Sequence, residues 1–183
     1  MRTKHHQRFT LEKFSLITAA LACVLTGVPG RTALAAEAAP VIVSPREASW
    51  QEDLAAQEVR RYLYVRTGQL LPIQTADETL PETAAIVVAR KDGPVSKTLR
   101  GVPQLREALA SLQAQEYLLK TVEVNNRPCL LLAGGDAAGT LYAAYRFAEH
   151  LGIRFYLHGD VIPDGRIDLK IPALDEKSKP LFA

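Results

Sequence analysis

Apolar and polar positions alternate along the chain with two different periods, which predicts both helices and strands. A helix begins at Ser49, because Ser49 and Glu52 supply the S-x-x-E pattern of a capping box. After it, apolar residues recur at helical spacing, at Leu54, Ala55, Val59, Tyr62 and Leu63. Gly68 then predicts the end of this helix.

Short apolar runs outside this helix have the length of strands. They cover residues 41–43, 70–74, 85–89, 154–157 and 167–171. The run 85–89 is apolar at every position, which predicts a strand buried on both faces. Residues 95–103 are irregular, and residues 104–112 show a weak helical pattern.

The stretch from residue 116 to residue 152 predicts a hairpin followed by a helix. Residues 116–124 and 127–133 form the two arms, and Asn125-Asn126 between them tolerates the positive φ of a tight turn. After a Gly-rich turn, apolar positions repeat at helical spacing, at Leu141, Ala144, Tyr145, Ala148 and Leu151. Gly152 predicts the end of this second helix.

This order of elements predicts an α/β fold. It gives a single two-layer domain over residues 41–172, a mixed β-sheet with helices packed on it. Residues 173–183 begin as a polar, unpatterned stretch and end in Leu181-Phe182-Ala183. We interpret them as a linker or a truncated end, and we expect further sequence to follow in the intact protein.

Residues 1–35 are predicted to form a secretory signal peptide. Residues 1–13 are basic, residues 14–28 are apolar, and Ala33-Leu34-Ala35 has the pattern of a cleavage site. An uncleaved membrane anchor is the alternative, but the apolar run is shorter than the roughly 20 residues that span a bilayer. We expect cleavage after Ala35 and export to the periplasm or the extracellular space.

Removal of this segment changes the charge of the chain. Five of the 22 basic residues and one of the 20 acidic residues precede residue 36, so the formal net charge falls from +2 to −2. A weakly acidic domain with mixed charges gives no electrostatic reason to expect a nucleic acid or an anionic membrane as a partner.

The two cysteines are predicted to lie in different parts of the protein, Cys23 in the signal peptide and Cys129 in the folded domain. Cys23 lies in the signal segment, where Leu21-Ala22-Cys23 loosely resembles a lipoprotein processing site, although the residues after it are still apolar. Cys129 then remains alone, so no internal disulfide is expected. Its apolar neighbours predict a buried small hydrophobe and not a reactive thiol.

The Gly-rich turn resembles a phosphate-binding loop in spacing only. Gly134 and Gly139 are separated as in G-x-x-x-x-G, but Thr140 stands where that motif requires a lysine. A nucleotide is therefore not expected. The simpler interpretation is a tight turn in which the Asp136 carboxylate caps the following helix.

No catalytic, cofactor-binding or metal-binding residue stands out, and no cofactor is expected. His150 and His158 lie on separate predicted elements, so they do not form a metal site. Glycoside hydrolysis needs two facing carboxylates, and Asp160 and Asp164 are more simply acids of a loop. Either a sugar-stacking platform or core packing accounts for the larger aromatic residues, Trp50, Tyr142, Tyr145, Phe155 and Tyr156.

Three segments resemble the N-terminal domain of bacterial α-glucuronidases and the related domain that precedes the barrel of β-hexosaminidases. They are EYLL at residues 116–119, LLAGGDAAGTLYAAYRF at 131–147 and LGIRFY at 151–156. The helix with VRRYL at residues 59–63 also resembles the first helix of that family. The resemblance spans residues 41–172 and is structural in character.

The resemblance implies a non-catalytic support domain of a secreted glycoside hydrolase acting in polysaccharide breakdown. Its partner would be a catalytic (β/α)8 barrel, in cis or in trans, that carries the acid and base carboxylates; no family catalytic residue maps onto this chain. Arg146, Arg154 and His158 are candidates for a role at a cleft, with structural salt bridges as the alternative for both arginines. A stand-alone exported module that binds carbohydrate or protein is the alternative function.

Overall fold

A computed structural model describes residues 38–180, all of which belong to one unit of the chain, Glu37–Ala183. The predicted signal peptide at residues 1–35, with its cleavage site and Cys23, lies outside the described residues, and so do residues 181–183. Among the residues that are described, no helix combines the length and the apolar character needed to cross a membrane.

Eight strands and four helices make up the described part of the chain. The strands are β1 (Val41–Ser44), β2 (Ile73–Thr75), β3 (Ala85–Arg90), β4 (Tyr117–Val124), β5 (Arg127–Gly134), β6 (Arg154–Tyr156), β7 (Gly159–Val161) and β8 (Asp175–Ser178). The helices are α1 (Trp50–Thr67), α2 (Pro94–Leu99), α3 (Pro103–Ala110) and α4 (Ala137–His150).

Six of these strands form one mixed sheet in the order β2-β1-β3-β5-β4-β8. Strands β2, β1, β3 and β5 are parallel, and β4 runs antiparallel to both β5 and β8. Residues 85–89 in β3 are buried throughout, as their continuous apolar run predicts. The predicted mixed α/β fold is confirmed, but the domain has three layers and not the predicted two, because helices pack on both faces of the sheet.

Helices cover both faces of the sheet. Long helices α1 and α4 pack on the face that presents Ile42, Ile86 and Leu130. Short helices α2 and α3 pack on the other face, which presents Val43 and Leu131. The pattern of the sequence predicts α1, α4 and weakly α3, but not α2, because a six-residue helix that begins at a proline is too short to show a period.

The predicted local signals are found where the sequence places them. Ser49 forms the capping box with Glu52 at the start of α1, and Gly68 ends that helix with a φ of 76°. Asn125 and Asn126 have φ values of 52° and 59°, so the β4–β5 turn has the left-handed backbone expected of a two-residue hairpin loop.

Two segments near the end of the described chain differ from the sequence pattern. Residues 167–171, a strand candidate, form no strand; their apolar side chains Leu169 and Ile171 pack partly against the α1–α4 side of the core. The segment 173–183, interpreted as a linker, contains the edge strand β8. Its residues are charged, and pairing with β4 reinforced by the Lys120–Asp175 ion pair supplies the order that apolar burial does not.

Candidate functional site

A groove of about 600 Å³ lies where helices α1 and α4 meet the β6–β7 hairpin. Its lining combines three aromatic rings, two carboxylates and one guanidinium, from Glu58, Arg61, Tyr62, Tyr145, Phe155 and Asp160. We call these six residues the α1–α4 groove.

Three elements position these side chains. Glu58, Arg61 and Tyr62 lie on neighbouring turns of α1, so they share one side of that helix. Phe155 and Asp160 are cross-strand partners in the β6–β7 hairpin, whose two strands form a separate small sheet. The remaining ring is that of Tyr145, which lies on α4.

A polar network joins helix α1 to the hairpin. The Tyr62 hydroxyl donates to Asp160 Oδ2 at 2.6 Å, and Arg61 donates to the same oxygen at 3.3 Å. Arg61 also donates to Glu58 Oε2 at 3.0 Å and to the Tyr62 hydroxyl at 2.9 Å. Burial and the hydrogen bond to Asp160 raise the pKa of Tyr62 above its usual range, so its hydroxyl stays protonated as a donor.

The three rings of the groove form an edge-to-face stack. Phe155 lies between two tyrosines, with its centroid 5.7 Å from that of Tyr62 and 5.1 Å from that of Tyr145, at interplanar angles of 78° and 76°. Burial, together with the Glu58 and Asp160 carboxylates, raises the pKa of Tyr145. Its hydroxyl therefore remains neutral and lies in the field of both acids.

A shallower depression of about 220 Å³ adjoins the groove, and Tyr145 lines both. Arg146 in this depression binds Glu149 at 2.8 Å and Glu176 of β8 at 2.7 Å, and His150 Nε2 lies 2.8 Å from the other oxygen of Glu176. Partial burial opposes ionisation of Glu176, but Arg146 and His150 hold its pKa below the usual value. Arg146 therefore forms the structural salt bridges that were the alternative to a cleft role, and its ion pair with Glu176 links β8 to α4.

The other two residues considered for a cleft role lie elsewhere. Arg154 donates to the backbone oxygens of Glu149 at 3.0 Å and Ile153 at 2.7 Å, so it fixes the end of α4. His158 is exposed at the hairpin turn, where its ring stacks on Tyr156 with centroids 5.5 Å apart. Neither side chain lines the α1–α4 groove.

The Gly-rich turn is filled by the chain itself. A Cβ added at Gly135 would lie 1.7 Å from the backbone oxygen of Gln113, and one at Gly139 would lie 2.4 Å from that of Glu116. Asp136 Oδ1 accepts from the Gly139 amide at 2.8 Å, which caps α4. The glycines therefore permit close backbone packing, and the resemblance to a phosphate loop is accidental.

Other reactive groups in the described residues are accounted for by packing. Cys129 is buried in β5, and burial raises the pKa of its thiol to about 12, so it is neither ionised nor nucleophilic at neutral pH. Between residues 38 and 180, no three His, Cys, Asp or Glu side chains come together as a metal site.

Sequence reasoning found only part of the groove. Tyr145 and Phe155 were candidates for a sugar platform, and the structure brings them together. Trp50 and Tyr156, from the same set, do not line the groove. Asp160, interpreted as a loop acid, belongs to β7 and binds Tyr62, which lies 98 positions earlier in the chain. Local periodicity contains no signal for a pair so far apart.

Comparison with solved structures finds similar domains within much longer chains. One is BtGH115A, a family GH115 4-O-methyl-α-glucuronidase with specificity for decorated arabinogalactans, at 18% identity and a TM-score of 0.49 over 64% of this chain. Another is CpGH84D, at 8% identity and a TM-score of 0.44 over 61% of this chain. The matches span 14% and 17% of those proteins. No curated protein matches this sequence.

The family comparison is more specific. Residues 29–147, which are 119 of the 183 residues, match the family described as Glycosyl hydrolase family 67 N-terminus. The matched range includes β1 to β5 and most of α4, which together form nearly the whole sheet and both helices that flank the groove. The resemblance to the N-terminal domain of α-glucuronidases is thereby confirmed, and this chain belongs to the glycosyl hydrolase family 67 N-terminus family.

Proposed function

We propose that this chain is a non-catalytic support domain of an exported glycoside hydrolase of the α-glucuronidase type, acting in polysaccharide breakdown. The observation that carries this proposal is the family match across residues 29–147. The expected partner is a catalytic (β/α)8 barrel, against which the domain packs, in cis or in trans.

The chemistry of the described residues supports a non-catalytic role. A glycoside hydrolase needs two carboxylates placed on opposite sides of the scissile bond. In the α1–α4 groove, Glu58 and Asp160 are instead joined through a single guanidinium, that of Arg61. This arrangement links α1 to the β6–β7 hairpin, and it pairs both carboxylates with the same cation instead of setting one as an acid and the other as a base.

The tip of the β6–β7 hairpin supports packing against a protein partner. Tyr156 and Leu157, at the turn end of the hairpin, are 56% and 110% exposed. An isolated two-stranded hairpin is only marginally stable in water, and clustered exposed apolar side chains are typical of protein interfaces. We therefore assign the barrel contact to the hairpin tip.

The test of this contact is association with a catalytic barrel. The barrel of a family 67 α-glucuronidase, freed of its own N-terminal domain, is titrated with the purified chain in a calorimeter. Leu157→Ser at the hairpin tip should weaken the complex about tenfold or more, as expected for an interface anchor. Leu70→Ser is the matched control, because Leu70 is also exposed, at 66%, but lies outside the hairpin. Absence of association, or equal loss in both variants, overturns the proposed contact.

Export is tested separately from packing. The tripartite pattern of residues 1–35 supports it, and the full chain expressed in a bacterial host should appear in the periplasm or medium with a mass that begins at residue 36. An uncleaved chain that stays in the cytosol contradicts export and leaves the barrel contact to be judged by its own titration.

A further inference from the structure

We propose that the α1–α4 groove is a glycan-binding subsite that accepts a neutral oligosaccharide. The groove joins the half-buried rings of Tyr145 and Phe155 and the buried ring of Tyr62 with polar groups that retain hydrogen-bonding capacity. Its volume of about 600 Å³ lies within the range of roughly 300–1,000 Å³ found for small-molecule sites.

The polar groups of the groove are only partly used by the protein. Within the described residues, the hydrogen bonds of Glu58 and Asp160 engage Oε2 and Oδ2, which leaves Oε1 and Oδ1 as acceptors. The Tyr145 hydroxyl has no hydrogen-bond partner in that part of the chain and supplies both a donor and an acceptor. Arg61 is about half exposed and retains further N–H groups.

This set of groups fits a polyol better than a protein side chain. Sugar hydroxyls donate and accept at close spacing, so they can engage both free carboxylate oxygens and the Tyr145 hydroxyl at once, while the C–H groups of the sugar ring contact the aromatic rings. An apolar protein surface on the same groove would bury these oxygens without partners, which is costly. The hairpin tip differs from the groove, because it presents exposed apolar side chains and not hydrogen-bonding groups.

The charges of the groove select against an acidic sugar. Arg61 supplies one positive charge, and Glu58 and Asp160 supply two negative charges, so the site carries a net charge of −1. A uronate would meet both carboxylates, whereas a neutral sugar gains their hydrogen bonds without that repulsion. The inferred ligand is therefore an uncharged stretch of a polysaccharide and not its acidic branch.

The test uses the exported chain alone and so does not depend on the barrel contact. Calorimetry and NMR titration with xylotetraose, cellotetraose and β-galactotetraose should show binding of at least one of them, with a Kd on the order of 1 mM. Methyl glucoside and methyl glucuronide, which differ at C6, measure the effect of charge, and the glucuronide should bind several-fold more weakly.

Three variants locate the site. Tyr145→Phe removes only the free hydroxyl, and Glu58→Gln keeps the shape of the side chain while it removes the charge. Each should weaken binding about fivefold, the loss expected for one hydrogen bond. Tyr64→Phe removes a hydroxyl from the exposed side of α1 outside the groove and should leave binding unchanged.

Four results would overturn the subsite. Three come from the titrations: no binding of any of the tetrasaccharides up to about 10 mM, tighter binding of the glucuronide than of the glucoside, and an equal loss in Tyr64→Phe. The fourth is protection of the Tyr145 region by the barrel instead of by sugar, which would make the groove a protein contact. If Tyr145→Phe does not fold, Glu58→Gln, which keeps the shape of the side chain, decides the question.

Discussion

The six-stranded sheet and the β6–β7 hairpin belong to the same chain but are stabilised in different ways. The sheet is held between two layers of helices by apolar side chains that are almost fully buried. The hairpin buries little: Phe155 packs against the rings of Tyr62 and Tyr145, and Asp160 accepts a hydrogen bond from the Tyr62 hydroxyl. Arg66 binds the backbone oxygens of Leu151 and Pro163, which flank the hairpin. The comparison shows that apolar periodicity builds the sheet and its helices, whereas a few long-range contacts between individual side chains attach the hairpin.

The largest effect on stability is expected in the core between the six-stranded sheet and its helices. Phe147 on α4 is 1% exposed, and Phe147→Ala should lower the free energy of unfolding by about 4 kcal/mol, because it removes buried apolar surface and leaves a cavity. Urea denaturation measures this loss. Tyr142→Ala on the exposed side of the same helix should cost less than about 1 kcal/mol. Similar losses in both variants would mean that α4 is not anchored through its apolar face.

A smaller effect, confined at first to the segments that flank the β6–β7 hairpin, is expected at Arg66. Its Nε donates to the backbone oxygen of Leu151 at 2.8 Å and its Nη1 donates to that of Pro163 at 2.8 Å. Arg66→Met leaves these oxygens unpaired and should cost about 2 kcal/mol. Hydrogen exchange should quicken first at the Ile167 amide, which donates to the Arg66 backbone oxygen. Arg60→Met, on the same helix, is the control, and equal acceleration there would contradict the assigned role.

Loss of the Tyr62 hydroxyl should have an effect of about 1 kcal/mol. It also makes a prediction about pH, because burial and Asp160 raise the pKa of Tyr62 above its ordinary value of 10.0. The stabilisation is complete below pH 10 and is lost as pH rises toward the folded-state pKa, since the unfolded chain releases its proton first. Tyr62→Phe should therefore flatten the stability curve above pH 10. A curve of unchanged slope would show that the hydroxyl makes no such contact.

The smallest effect is expected at the edge strand β8. Arg146 and His150 hold the pKa of Glu176 below 4.5, so its contribution is present above pH 4.5 and is lost as pH falls toward the folded-state pKa. Glu176→Gln should cost about 0.5 kcal/mol at neutral pH, because the pair is partly exposed to solvent. The stability difference between the two proteins should vanish in acid. A difference that persists at low pH would assign the loss to packing and not to charge.

Much of the six-stranded sheet and its helices could be predicted, because the sequence signals for helix caps and turns are local. Ser49 with Glu52 caps α1, Asn125-Asn126 turns the β4–β5 hairpin, and Asp136 caps α4, each through contacts within a few positions. The groove could not be predicted in the same way. Its members come from α1, α4 and the small hairpin sheet, and the sequence gives no register between these elements. Strand β8 was also missed, because a charged edge strand has no apolar alternation to reveal it.

The sequence by itself determined the α/β fold class, the principal helices and strands, the burial of Cys129 and the membership of the chain in its family. The fold class, the elements and the burial of Cys129 follow from apolar period and turn chemistry, which act over short distances along the chain. Family membership follows from the match of residues 29–147. Only the tertiary structure decided that residues 113–116 fill the Gly-rich turn and that the Tyr62 hydroxyl binds Asp160. It also decided that Glu58 and Asp160, each with one carboxylate oxygen still able to accept a hydrogen bond, line the same groove as Tyr145. Those contacts join residues far apart in the sequence, so they exist only once the helices have packed on the sheet.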